Sequence, residues 1–166
     1  MVCSVWDQIE SGPVKELDSQ WEIPVEISEE GKLPLTDYFL SVIPSQKSQH
    51  AWPPEVCRLY SDTAVELGRA FACTRMMGEK LTTWDALRIW PILISVEFMK
   101  LLGNWHPGAL ILLAHYCILL KKMEAHWYFA GRAAKLPPTI VHRLDLRWHC
   151  YIKWPLEEVG MSPSVV

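Results

Sequence analysis

The hydrophobic pattern of the chain changes near residue 57. Before that point apolar pieces are short and broken: Pro24, Gly31 and Pro34 interrupt "WEIPVEISEEGKLPLTDYF". This predicts extended segments and turns, with at most a short helix near residues 37–43. "IPSQKSQHAWPPE" reads as a polar linker closed by Pro53 and Pro54. From Pro54 to about Thr74, Val56, Leu59, Tyr60, Thr63, Ala64, Leu67, Ala70 and Phe71 recur at helical spacing. "TTWDALRIWP" predicts a further helix, with Thr82 or Thr83 as N-cap and Asp85 in the first turn. Pro91 stops it and opens "PILISVEFMKLLG", whose apolar positions include Ile92, Val96, Met99 and Leu102 and which ends at Gly103.

The most apolar stretch follows, "HPGALILLAHYCILLKK". Asn104 or His106 begins a helix with Pro107 in its first turn, reaching at least Lys122 and on towards Phe129. Nearly every position from Ala109 to Leu120 is apolar, so no single stripe explains them, and a helix apolar all round is a buried one. The unbroken apolar part is about a dozen residues, short of the roughly 20 that a membrane span needs. "PPTIVHRLDLRWHCYIKWP" predicts a last helix with Ile140, Leu144, Trp148 and Tyr151 or Ile152 on one face. The expectation is an all-α protein: an irregular acidic segment over 1–57, one helical domain over 58–160 with a buried central helix, and a frayed tail over 161–166.

Composition sharpens this reading. Half of the residues are apolar and 21% are charged, as in globular chains, and nine tryptophans favour a large aromatic core or an aromatic-lined pocket. The net charge of −3 divides unevenly: residues 1–57 carry ten acids and three bases, and residues 58–166 nine acids and thirteen bases. Neither part is basic enough for a nucleic-acid surface. The five cysteines are Cys3, Cys57, Cys73, Cys117 and Cys150, and no pair has the short spacing of a zinc cluster or a redox motif. Reduced, buried thiols in an intracellular protein are expected. "MVCSVWDQIESGP" has no apolar core and does not read as a secretory signal.

Candidate chemistry is sparse. His115 and Tyr116 interrupt the apolar run and are candidates for a polar contact inside an apolar pocket, with Met99 and Trp127 beside them. The competing role for His115 is a core histidine bonded to a neighbouring carbonyl. His142 and His149 are seven apart, two turns along one predicted helix face, which is too far for a two-ligand helical zinc site. His115 and Cys117 point about 200° apart on a helix and form no dyad. No phosphate-cradling glycine loop and no nucleophile elbow is present. No catalytic, metal or cofactor site is expected.

"IWPILISVEFMKLL", then "HPGALILLAHYCILLKKMEAHWYFAGRA", then "WHCYIKWPLEEVG" resemble the C-terminal regulatory domain of fungal binuclear zinc-cluster transcription factors, in the branch of sterol uptake control proteins. The matching positions are Trp90-Pro91, Glu97-Phe98, Pro107, Ala109-Leu110, Leu112 to Tyr116, Trp127, Gly131 and Ile152 to Pro155, within roughly residues 58–160. The six-cysteine cluster with which those factors begin is absent, Tyr128 stands at the second tryptophan position of the pattern, and Arg132 stands where the pattern has an aromatic. The resemblance implies a transcription-regulator-like protein of fungal sterol or secondary metabolism. Without the cluster, it acts through a homodimer, another protein partner or an apolar small molecule such as a sterol. It implies no direct DNA binding by this chain alone, and a nuclear location. The aromatic run Trp127, Tyr128 and Phe129 is the expected interface. The alternative is a small cytoplasmic helical enzyme or accessory protein with an apolar pocket for a polyketide or terpenoid.

Overall fold

Helices form where apolar positions become periodic. The computed structural model describes residues 34–45, 47–77, 90–122 and 135–161, all within one unit, Lys32–Val166. Among these residues the protein is all-α, with no strand. The elements are α1 (Pro34–Ser41), α2 (Pro54–Met77), α3 (Val96–Gly103), α4 (Pro107–Lys122), α5 (Leu136–Arg143), a 3-10 helix (Leu146–Tyr151) and α6 (Lys153–Glu158). The predicted cap at Thr82 or Thr83, a continuation of α4 towards Phe129 and nearly all of the tail lie outside the described residues.

α2 opens on proline. The Pro53 carbonyl accepts from the Cys57 amide at 3.0 Å, so Pro54 takes the first helical position, where its missing N–H costs nothing. Tyr60, Ala64, Leu67, Ala70 and Phe71 then form a buried stripe. Thr63, buried among them, returns its hydroxyl to the Leu59 carbonyl at 2.8 Å.

α4 is the centre of the molecule. It packs against α2, α3, α5, the 3-10 helix and α6, which accounts for apolar side chains on every side. Gly108 through Leu119 are all buried. Gly108 is required by packing: a Cβ there would lie 2.6 Å from Trp52 and 2.9 Å from Tyr60. The turn into α4 ends α3 in a paired-hydrogen-bond cap. The Trp105 amide donates to the Leu102 carbonyl and the His106 amide to that of Leu101, with Trp105 left-handed at φ 56°. Glycine is the usual residue there; the Trp105 ring instead lies under the Arg143 guanidinium, 4.8 Å from its carbon.

Four expectations change. The short helix expected near residues 37–43 is α1, and it belongs to the core rather than to an irregular segment: Phe39 is fully buried, followed by buried Val42. Trp52, in the expected polar linker, is buried edge-on to Tyr60 at 5.3 Å and to His106 at 4.8 Å. The helical unit therefore takes in residues before 57. α3 starts at Val96, not Pro91, because the Ser95 hydroxyl caps it by accepting from the Phe98 amide at 3.1 Å. Phe98 and Leu102 are its buried face, while Ile92 and Val96 stand 58% and 69% exposed. The expected last helix is three pieces: the backbone is extended at Leu144 and Asp145, and the chain restarts as a 3-10 turn. Ile140, Leu144, Trp148 and Ile152 are still all buried, because the bend wraps them around α4. His142 and His149 consequently do not share a helix face; His142 is exposed and His149 buried.

Candidate functional site

His115 is fully buried on α4. Its Nδ1 lies 2.8 Å from the Ile111 carbonyl, one turn back. A carbonyl only accepts, so Nδ1 carries the proton of the neutral ring and Nε2 the lone pair. That Nε2 is buried without a hydrogen-bond partner. Aromatic rings close around it: Phe39 edge-on at 4.8 Å, Tyr38 at 5.6 Å and Trp154 at 5.8 Å. Burial pushes its pKa down to about 4, against a smaller upward pull from the Ile111 carbonyl. A neutral imidazole with no exposed surface is not placed to take a proton from a substrate.

Tyr116 faces another way, its ring 4.7 Å from that of Trp90, because adjacent helix positions diverge by about 100°. Burial drives its phenol above the ordinary range. Trp90 in turn donates its Nε1 hydrogen to the Thr63 carbonyl at 3.3 Å, joining Tyr116 to α2. Met99 is half-buried on α3. The structure thus gives His115 and Tyr116 different neighbours. Trp127, Tyr128 and Phe129 lie outside the described residues.

A second aromatic group, missed by the sequence reading, joins the start of α2, the start of α4 and the 3-10 helix. Trp52 sits between Tyr60, His106 and Trp148, the last at 5.7 Å. Three buried nitrogens here have no hydrogen-bond partner: His106 Nδ1, Trp148 Nε1 and His149 Nδ1. His149 uses its Nε2 on the Leu144 carbonyl at 2.8 Å, which satisfies a carbonyl freed by the bend. Burial lowers the pKa of His106.

The open surface lies elsewhere. A groove of about 510 Å³ runs between the first turns of α2 and α3, lined by Pro54, Val56, Leu59 and the charged residues Glu55, Arg58, Asp62 and Glu97. A second, of about 330 Å³, continues along α2 past Thr63, Val65 and Glu66 to Leu93 and Ser95. The two share Leu59 and Asp62 and form one trough. Neither is lined by His115, Tyr116 or Met99. The sequence signal for the trough was present: Glu55, Asp62 and Glu66, spaced seven and four, mark one edge of the helix beside Leu59.

Among the described residues no group of three His, Cys, Asp or Glu side chains comes together to hold a metal, and no helix is long and apolar enough to cross a membrane. No family model matches the chain, and no curated protein or solved structure matches it.

Proposed function

We propose that the chain is a transcription-regulator-like protein that acts by binding a protein partner. One observation carries the choice of partner over pocket. His115 and Tyr116 of the central helix are sealed against aromatic rings, while the apolar trough along α2 and α3 lies open. The order of Trp-Pro, Ala-His-Tyr and Trp-Pro elements along the chain supports the regulatory part of the reading. Control of fungal sterol or secondary metabolism, from the nucleus, belongs to the same proposal.

The test is deletion of the gene in its source organism, with transcripts and metabolites measured together. The expected outcome is a changed transcript set that the metabolite changes follow. An altered product at unchanged transcript levels overturns the reading in favour of biosynthesis. Native mass spectrometry of the purified chain adds a second arm: a retained apolar small molecule at one per chain overturns the choice of partner over pocket.

A further inference from the structure

The trough has a length, a floor and a charge, and together they describe what fits it. It follows α2 from Pro54 to Glu66, a helical rise of about 18 Å, which matches a partner helix of about three turns. Its floor is aliphatic, set by Val56, Leu59 and Leu93, and the exposed Ile92 and Val96 sit on either side of Leu93 and Ser95 in the chain. Its rim is acidic. Glu55, Asp62 and Glu97 stand against the single guanidinium of Arg58, and none of these three acids forms a salt bridge among the described residues. Glu66 lines the far end but is paired with Arg69 at 2.7 Å.

We propose that this trough docks a basic amphipathic helix of a protein partner. Such a helix lays an apolar stripe at i, i+3 or i+4, and i+7 onto Val56, Leu59 and Leu93, and its flanking Lys and Arg face the carboxylates. Complementary charge steers the encounter and sets the orientation. The same rim repels the phosphates of nucleic acid and the headgroups of anionic membranes. This deepens the partner-binding reading and rests on it.

The experiment uses the full chain and two fluorescent three-turn peptides, one of Leu and Lys and one of Leu and Glu in the same helical pattern. Anisotropy is expected to show the Leu/Lys peptide binding at least about tenfold more tightly, a difference that weakens with salt. Asp62→Lys combined with Glu97→Lys, both exposed positions, reverses the order of the two peptides. Leu59→Asp abolishes binding of both. Glu157→Lys, an exposed acid on α6, changes nothing. Equal affinity for the two peptides, an order that survives the charge reversal, or no binding overturns the proposal. So does a dimer in sedimentation that excludes the peptide, because a second copy then covers the trough. The two failures are separable. A deletion that alters transcripts while the peptide order ignores Asp62 and Glu97 removes the docking assignment alone. Intact peptide discrimination with unaltered transcripts removes the regulatory reading alone.

Discussion

His115 spends its one proton on the Ile111 carbonyl and leaves Nε2 among aromatic rings, so the folded protein holds the ring neutral. Its pKa is about 4 folded and about 6.5 unfolded. Above pH 6.5 both states are neutral and stability is complete. As pH falls from 6.5 towards 4, the unfolded chain takes up a proton that the folded chain refuses, and stability drops by roughly 3 kcal/mol before levelling. His106, also shifted down by burial, adds a loss of the same sign. Urea midpoints measured across this range are expected to fall with pH, and His115→Gln, which keeps a donor for Ile111, is expected to flatten part of the fall. A profile unchanged by the substitution refutes the assignment. Gly108 acts at the same scale by absence. Gly108→Ala pushes a methyl into Trp52 and Tyr60 and is expected to cost about 1–3 kcal/mol, read as a lower thermal midpoint.

At the scale of the element, α4 was the most legible part of the sequence. An apolar run that long, without a polar stripe, has one folded solution: Pro107 stands in the first turn as expected, and the helix reaches at least Lys122. α3 was misread for a physical reason. Pro91 does sit in a helical segment, but a serine four residues later offers a better cap, and capping outweighs hydrophobic periodicity over so short a helix. Ser95→Ala is expected to lose about 1 kcal/mol of stability in a denaturant titration with the fold retained. The C-terminal stretch misled in the opposite way. Spacing of four from Ile140 to Ile152 is helical arithmetic, yet the bend at Leu144 keeps the same residues buried by turning the chain instead. Periodicity identified what is inside and not how the backbone gets there.

At the scale of the molecule, distant parts are tied by aromatic side chains that pattern alone does not reveal. The Tyr38 hydroxyl donates to the Tyr151 carbonyl at 3.0 Å across 113 residues, and that of Tyr60 to the Phe39 carbonyl at 3.0 Å. Trp52 lay in a stretch whose polarity and prolines argued against a core, because a single ring is too sparse to register as a period. Phe39→Ala is expected to cost about 3–5 kcal/mol, the loss of a core ring, in equilibrium unfolding. A loss below 1 kcal/mol contradicts the placement of α1 in the core. The candidate site was half legible. His115 and Tyr116 were picked out by their polarity, but their burial depends on α1, Trp90 and α6 closing over α4, which no local window contains.

The four cysteines described are all unpaired, and they sample the molecule at graded depth: Cys150 exposed, Cys57 partly covered, Cys73 and Cys117 buried. Cys117 lies mid-way along α4, where burial pushes its thiol up to about 12. A thiol that is both covered and protonated does not alkylate from the closed state. Its labelling therefore counts openings. When closing outpaces the reagent, the ratio of its rate to that of a free thiol is the equilibrium constant for unsealing the central helix, measured without denaturant. Mass spectrometry of the labelled chain is expected to show Cys150 modified first and Cys117 last, with the Cys117 rate rising in Phe39→Ala by the factor that equilibrium unfolding assigns to that substitution. Should Cys117 keep pace with Cys150 in the unaltered protein, α4 opens without the rest of the fold, and the centre of the molecule is its most changeable part.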